Sequence, residues 1–398
     1  MSDPREGSHK MSGLWQSSAV TAIFVAKAAR TFAYGYLGIL LPLYLADLGL
    51  SAAGVGASVT LTLAGSAGLT WGVRMPAERF GTRAALVGLA GLSVLSAVLL
   101  LFTRDPWLVV LAAMAGNVAV GAGETGPFLS VEQVIIARAI APARRTAVLS
   151  VYNLLGYGAA ALGAAVVGAA APRTLFVGFL AAAAIQTLAY ARLPAAPAGP
   201  RVAASGPGPS LPIIRRLAAL FALDSFAGGF VLQALVAYFL HVRFGLGLDA
   251  LGRIFFVAQL LTALSLVLAA RFALRFGLLN TMVVSHLVSN VFLIAIAFAP
   301  TAWLAVACLY ARQLLSQIDV PTRQAYVMGV VQDREREYAA TTTTLWRTIT
   351  QALSPTLTGW IMASVALSAP FVIGGALKIL YDLLLYTTFK HIKPTNPD

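Results

Sequence analysis

The sequence contains little that would support catalysis or metal chemistry. Cys308 is its single cysteine, so an intramolecular disulfide and a metal cluster of several thiolates are both excluded. There is no P-loop for ATP phosphates, no HExxH zinc motif and no Gly-x-Ser-x-Gly nucleophile motif. His241 and His286 have no second ligand at the spacing of a metal site. The chain is therefore predicted not to be an enzyme and to use no metal ion or cofactor.

Charged residues are also scarce, at 11% of the chain against 59% hydrophobic residues. With a mean hydropathy of +0.82, a chain of 398 residues is too apolar to fold as a soluble globule and is predicted to be an integral membrane protein. The formal net charge of +13 does not indicate a nucleic-acid partner, because the arginines lie in short clusters between apolar runs. The predicted partner is the lipid bilayer.

Apolar windows of roughly twenty residues divide the chain into twelve candidate spans, each long enough to cross a hydrocarbon core of about 30 Å as a helix. Helices are expected because lipid offers no hydrogen bonds to an unpaired backbone. The predicted fold is an all-α membrane protein with spans at 18–46, 52–73, 84–103, 106–137, 146–170, 173–192, 213–242, 250–270, 281–299, 302–331, 338–364 and 368–389.

The charge of the connections predicts the orientation. Connections after even-numbered spans contain most of the loop arginines, which places them and both termini in the cytoplasm and the protein in the cytoplasmic (inner) membrane. A segment rich in Pro, Gly and Ala separates two groups of six spans. The predicted organisation is an N-terminal tail (1–17), a six-helix bundle (18–193), a linker (194–212), a second six-helix bundle (213–389) and a C-terminal tail (390–398).

An internal repeat relates the two halves. The tripeptide RFG at 79–81 recurs at 275–277, an offset of 196 residues. Such a repeat is typical of a duplicated membrane bundle. The same offset relates three further pairs of glycines, which are Gly49 and Gly245, Gly56 and Gly252, and Gly163 and Gly359.

Twelve spans, a central linker and a half repeat resemble the major facilitator superfamily. The loop between spans two and three of that family looks like G-x-x-x-D-R-x-G-R-K-x-x-L. The loop at 74–86 departs from it where Arg74 replaces the leading Gly and Thr82 replaces a basic residue. The positions that match, with Glu in place of Asp, are Glu78, Arg79, Gly81, Arg83 and Leu86. The resemblance implies two pseudo-symmetric six-helix bundles that rock about a central site in alternating access.

The resemblance also implies that this charged loop latches the cytoplasmic side in the outward-facing state. Glu78 is placed to meet the positive N-terminal end of span eleven, near Tyr338. Arg79 or Arg83 is placed to meet Glu132 near the cytoplasmic end of span four. The alternative is that these residues are ordinary positive-inside loop charges. The predicted gating residues are Glu78, Arg79, Gly81, Arg83 and Glu132.

Charges within the spans indicate the candidate site, because a charge near the bilayer centre costs at least ~2.5–3.5 kcal/mol and needs a partner or a water-filled cavity. Most of them lie on spans one, four, seven and ten, which line the cavity in the family that the chain resembles. By contrast, Lys378 and Asp382, four residues apart, are predicted to form a local ion pair, and His286 is predicted to be isolated. The predicted substrate- and proton-binding residues are Lys27, Arg30, Tyr34, Glu124, Asp224, Gln313, Gln317, Asp319, Arg323 and Arg347.

The predicted function is secondary active transport of a small organic solute, coupled to protons and directed to export, by a monomer. A carboxyl group removed from water binds a proton more readily, which suits Glu124, Asp224 and Asp319 to coupling. A permanent ion pair that fixes helix packing, such as Asp319 with Arg323, is the alternative for each acid. Proton-coupled import of an organic anion or zwitterion is the alternative transport mode, and a channel or a membrane-embedded enzyme is the rival class.

Overall fold

The computed structural model describes residues 4–121, 126–194 and 208–391. Within these ranges the chain is helical apart from short turns and contains no β-strand. The helices are α1 (Pro4–Asp47), α2 (Ala52–Gly72), α3 (Arg74–Phe80), α4 (Thr82–Phe102), α5 (Pro106–Ala115), α6 (Pro127–Ala139), α7 (Pro142–Ala165), α8 (Pro172–Ala191), α9 (Leu211–Gly229), α10 (Gln233–Phe244), α11 (Leu248–Phe276), α12 (Leu278–Phe298), α13 (Ala302–Ser316), α14 (Asp319–Val330), α15 (Arg336–Ser364) and α16 (Ala369–Phe389).

The predicted spans correspond closely to these helices, and the all-α membrane fold is confirmed. Eight helical segments in the described ranges are long and apolar enough to cross a membrane. Predicted spans 1, 4, 10 and 11, which correspond to α1, α5–α6, α13–α14 and α15, fall outside that set because polar residues or breaks interrupt them. The helix α1 begins at Pro4, so it also includes most of the segment predicted as a tail.

Two of the repeated glycine pairs have a backbone explanation. Gly81 and Gly277 have φ angles of 87° and 79°, and each of them joins two consecutive helices. Gly49 and Gly245 have φ angles of 96° and 66° in the turns that precede α2 and α11. L side chains rarely adopt such positive φ values, whereas glycine adopts them without a steric penalty. The two halves therefore share the same turns at equivalent positions.

Three of the other repeated glycines, Gly56, Gly252 and Gly359, let the two halves approach each other closely. Helix α2 packs on α15, and α7 packs on α11. A Cβ atom added to Gly56 would lie 2.8 Å from the Cα of Gly359, and one added to Gly252 would lie 2.6 Å from the carbonyl oxygen of Ala164. Small residues permit such backbone contact between helices in membranes. These contacts lie at the end of the bundle remote from the loop at 78–83, which we call the closed end.

The hydrophobic core also differs between the two ends. A large cluster at the closed end contains buried residues of both halves, such as Leu37 and Phe239. Toward the end that holds the loop at 78–83, which we call the loop end, one cluster contains only residues of the first half, such as Phe128, and another only residues of the second half, such as Tyr326. The halves therefore share a core at the closed end and have separate cores at the loop end.

Candidate functional site

A cavity lies between the two halves and extends from the shared core toward the loop end. Its two parts have volumes of about 470 Å³ and 250 Å³, and residues such as Gln233 and Arg323 line both. Glu124 lies outside the described residues, so the structure does not place it. Eight of the ten residues predicted to bind substrate or protons line this cavity, namely Lys27, Tyr34, Asp224, Gln313, Gln317, Asp319, Arg323 and Arg347.

Broken helices bring polar groups to the centre of the cavity. The breaks separate α5 from α6, α9 from α10, and α13 from α14. The first and second breaks meet across the two halves, where the amide of Ala234 donates a hydrogen bond of 3.1 Å to the carbonyl of Val120. The third break ends at Asp319, two residues before Pro321. Non-helical backbone at membrane depth is tolerated where it lines such a cavity.

The second half contains a buried network of charged side chains, which we call the charge network. Asp224 on α9 accepts a hydrogen bond of 2.6 Å from Lys378 on α16 and one of 3.4 Å from Arg323 on α14. Arg323 also donates to Asp319, at 2.7 Å. All of these side chains are less than a tenth exposed. Each buried charge thus has at least one partner of opposite sign, as the low dielectric requires.

His286 and Asp382 extend the charge network and correct two predictions. The ring of His286 forms a 2.8 Å hydrogen bond through Nδ1 to Oδ1 of Asp382, so His286 is not isolated. Asn290 donates to the other oxygen of Asp382, at 3.1 Å. The predicted local pair of Lys378 and Asp382 is wrong, because Lys378 points to Asp224 on another helix. The charge network comprises Asp224, His286, Asp319, Arg323, Lys378 and Asp382.

Two further arginines line the smaller part of the cavity. Arg347 on α15 donates through Nε to the hydroxyl of Ser225, at 3.0 Å. Arg312 on α13 donates to the side-chain carbonyl of Gln313, at 2.8 Å, and its Nε has no hydrogen-bond partner. The sequence prediction missed Arg312, although its place near the middle of span ten was a usable signal. Both guanidinium groups are placed to bind an acceptor-rich solute.

Comparison with known proteins identifies the family. The sequence matches the Major Facilitator Superfamily over residues 23–316, which is well over half of the chain. The chain belongs to the major facilitator superfamily. It is also 23% identical over 423 residues to an uncharacterized membrane protein of Saccharomyces cerevisiae, covering 94% of each chain. The predicted family is thus confirmed, and membership supports a secondary transporter rather than an enzyme.

Solved structures of superfamily transporters share the fold. The nucleoside transporter NupG has a TM-score of 0.74 and 15% identity, covering 94% of this chain and 99% of that chain. A D-xylose-proton symporter has a TM-score of 0.73 and 14% identity, with 94% and 97% covered. A POT family peptide transporter has a TM-score of 0.76 and 11% identity, with 96% and 99% covered. At these identities the likeness shows the superfamily fold alone.

The first half of this superfamily protein contains a second buried cluster, around Arg30. Its guanidinium donates to Glu132 at 2.8 Å and to the hydroxyl of Tyr190 at 2.6 Å. Tyr190 and Tyr152 in turn donate to the Glu132 carboxylate, at 2.6 Å and 2.5 Å. The Arg30 guanidinium also lies 4.5 Å from the centre of the Phe128 ring. Arg30 was predicted to bind substrate, but these contacts hold it behind the cavity wall.

The same cluster corrects the predicted role of Glu132. A latch contact with Arg79 or Arg83 is not formed, because Arg30 and two tyrosines enclose the fully buried Glu132 carboxylate. Arg79 and Arg83 are instead exposed at the loop end, as is Glu78. Gly81, the remaining predicted gating residue, is the turn with positive φ that joins α3 to α4.

Uncharged polar groups that the sequence prediction missed complete the site. Gln259 on α11 donates to the side-chain carbonyl of Gln233 on α10, at 2.8 Å. The Oε1 of Gln259 and the Oδ1 of Asn117 are buried acceptors without a hydrogen-bond partner. Asn117 lies in the break after α5 with a φ of 50°. A buried acceptor without a donor costs about 1–3 kcal/mol, so both oxygens favour a solute or water that donates hydrogen bonds.

Proposed function

We propose that this chain is a proton-coupled carrier of a small organic anion or zwitterion. The observation that carries the proposal is the excess of positive charge around the cavity. The described lining contains five Lys and Arg side chains, Lys27, Arg312, Arg323, Arg347 and Lys378, against two acidic ones, Asp224 and Asp319. An anion that enters this low-dielectric site offsets the excess positive charge. The direction that we propose for such an anion is import, by symport with protons.

The pairing of Asp319 with Arg323 supports coupling to protons. A substrate carboxylate that binds Arg323 competes with Asp319 for the same guanidinium. Asp319 would then be a buried carboxylate without its partner, and such a group takes up a proton rather than remain charged. Solute and proton therefore bind together. The proton gradient would drive both in the same direction.

Export by proton antiport, the direction favoured by the sequence, is the second candidate. A cationic solute would compete with Arg323 and Lys378 for Asp224 and Asp319, both of which line the smaller part of the cavity. Binding would then require the acids to be deprotonated. With the loop at 78–83 on the cytoplasmic side, as its charge predicts, the cavity faces the cytoplasm in this conformation and suits either direction.

The two candidates can be separated by ligand binding and flux. Purified protein would be screened by thermal shift at pH 5.5 and 7.5 against amino acids, mono- and dicarboxylates, nucleosides and lipophilic amines, because a ligand of the folded state raises its melting temperature. Uptake of each hit would then be measured in proteoliposomes. We expect carboxylates to stabilise the protein and to accumulate when the outside is acidic. Selective stabilisation by amines would favour antiport, and non-saturating ohmic flux would overturn the carrier.

The proposed latch function of Glu78 predicts a conformational effect. Glu78→Ala removes a carboxylate that would stabilise the closed loop end at a helix N-terminus by about 0.5–1 kcal/mol. We therefore expect a two- to fivefold faster reaction of a cysteine at Asn153, which lines the cavity, with an impermeant maleimide added from the loop side, in a Cys308→Ser background. Leu274→Ala is the matched control, because Leu274 occupies the repeat-equivalent position and is 90% exposed. Equal effects of both changes would contradict the latch.

A further inference from the structure

His286 lies at a junction between two acids and a lysine. Its Nδ1 is bonded to Asp382, and its Nε2 lies 3.6 Å from Oδ1 of Asp224 and 3.5 Å from Nζ of Lys378. The ring is 5% exposed and lines the smaller part of the cavity, whereas Asp382 behind it is fully buried. The charge network therefore connects the cavity to a histidine that no transport step described above uses.

The two ring nitrogens can support two protonation states. In the neutral ring with its proton on Nδ1, the Nδ1–H group donates a hydrogen bond to Asp382. The unprotonated Nε2 can then accept a hydrogen bond from the Lys378 ammonium. In the charged ring both nitrogens are donors, so Nε2 can donate only to an acceptor, and Asp224 is the nearest carboxylate. Protonation would thus exchange Lys378 for His286 as a partner of Asp224.

Neighbouring groups hold the ring in place for this exchange. Asn290, one turn along α12, donates to Asp382 at 3.1 Å and fixes the carboxylate. The ring of Tyr381 on α16 packs edge-on against His286, with centroids 5.8 Å apart. From α14, Arg323 contacts Asp224 on the other side of the network, and from α13 the main chain of Arg312 accepts from Ser289 beside the ring. The helices packed around His286 therefore each place a charged or polar group near the ring or near Asp224.

We propose that His286 and Asp382 form a proton-binding site in the second half of the carrier, in which Lys378 and the protonated ring compete for Asp224. The inference rests on the proposed proton coupling and adds a site to it that lies behind the substrate-facing acids. The proton enters from the cavity at Nε2 and leaves by the same atom, while Asp382 orients the ring. Because Asp224 joins α9 to α16, the exchange of its partner changes the contact between two helices that border the cavity.

The proposal can be tested with protons alone, without a known solute. Protein with ¹⁵N-labelled histidine in lipid vesicles would be titrated from pH 5 to 9 by solid-state NMR, in which nitrogen shifts distinguish the two neutral tautomers from the charged ring. We expect one histidine signal of a ring that is unprotonated at Nε2 at high pH and doubly protonated at low pH. This signal should be absent in His286→Gln. Asp382→Asn should shift its midpoint, and His241→Gln, which lies outside the charge network, should leave it unchanged.

A conformational readout distinguishes a coupling role from a structural one. Spin labels at Met75 and Leu274, both exposed at the loop end, would report the distance between the halves in a Cys308→Ser background. We expect the distance distribution to change with pH in the parent protein and in His241→Gln, and to lose that dependence in His286→Gln. A His286 ring in one protonation state across the titration would overturn the site even where solute flux follows the proton gradient. Flux that ignores the gradient would overturn proton coupling, and this inference with it.

Discussion

Replacing Asp224 with Asn is expected to abolish proton-driven transport and to lower the free energy of unfolding by about 3–5 kcal/mol. The carboxylate is the shared partner of Lys378 and Arg323, and it lies close to His286. An amide of the same shape keeps the packing but leaves Lys378 without the carboxylate that it contacts and Arg323 with Asp319 alone, in a site where these side chains are less than a tenth exposed. Breaking a buried ion pair from one side is costly for this reason. Thermal unfolding and proteoliposome uptake would measure the two effects.

An exposed ion pair provides the control for this prediction. Asp249 pairs with Arg253 at 2.8 Å, and their side chains are 68% and 71% exposed. Such surface pairs contribute at most about 1 kcal/mol, so Asp249→Asn should leave both stability and uptake nearly unchanged. The double variant Asp224→Asn with Lys378→Gln should recover part of the lost stability without recovering proton coupling. If Asp224→Asn alone transported solute against a pH gradient as well as the parent does, the role given to this acid would be wrong.

Replacing Gly56 with Leu is expected to hold the closed end apart. A Cβ atom at this position meets the carbonyl oxygen of Pro355 and the backbone of Gly359, neither of which can move without separating α2 from α15. The conformation described here would then be disfavoured, and turnover should fall to background because alternation requires this end to close. A leucine at Gly359 should act in the same way, since its Cβ would lie 2.9 Å from the Cα of Gly56.

The change at Gly56 can be measured by the accessibility of a buried position. Ser58 is 4% exposed and lines a small cavity together with Ala234 of the other half. In a Ser58→Cys, Cys308→Ser background, labelling by an impermeant maleimide from the closed end should become at least about tenfold faster, which corresponds to 1.4 kcal/mol. Gly68→Leu on the same helix is the control, because nothing lies within 4 Å of its added Cβ. If Gly56→Leu and Gly68→Leu were labelled at the same rate, the contact between Gly56 and Gly359 would not be what closes this end.

Hydropathy was sufficient to predict an all-α membrane fold, and the internal repeat together with the loop motif indicated the superfamily. Long apolar windows correspond to helices in lipid, because an unpaired backbone is excluded there. The repeated glycines at Gly81 and Gly277 identify turns whose positive φ values could be inferred from the residue type. The break between α9 and α10 was not predicted, since the segment around Phe230 is apolar and contains no proline.

The sequence was sufficient to identify most residues of the site, but not the partners with which they pair. Depth within a span identified Asp224 and Arg323 as cavity residues, because burial of charge is rare in lipid. Their partners depend on which helices pack together, and Asp224 and Lys378 are 154 residues apart in sequence. The spacing of Lys378 and Asp382 favours a local pair on an isolated helix, but packing turns each side chain to a different helix. Tertiary contacts therefore override the local pattern.

The sealed cluster around Arg30 has a consequence for the response of the carrier to membrane potential. Glu132 neutralises Arg30 inside the first half. That pair therefore adds no net charge to the part of the protein that moves within the electric field of the membrane. In the described lining of the cavity, by contrast, positive side chains outnumber acidic ones, and one elementary charge gains about 2.3 kcal/mol per 100 mV. A potential that is negative inside would therefore act on the empty carrier and draw its positive wall toward the cytoplasm. A bound anion reduces that charge, so voltage would govern the return of the empty carrier more than the step that carries solute.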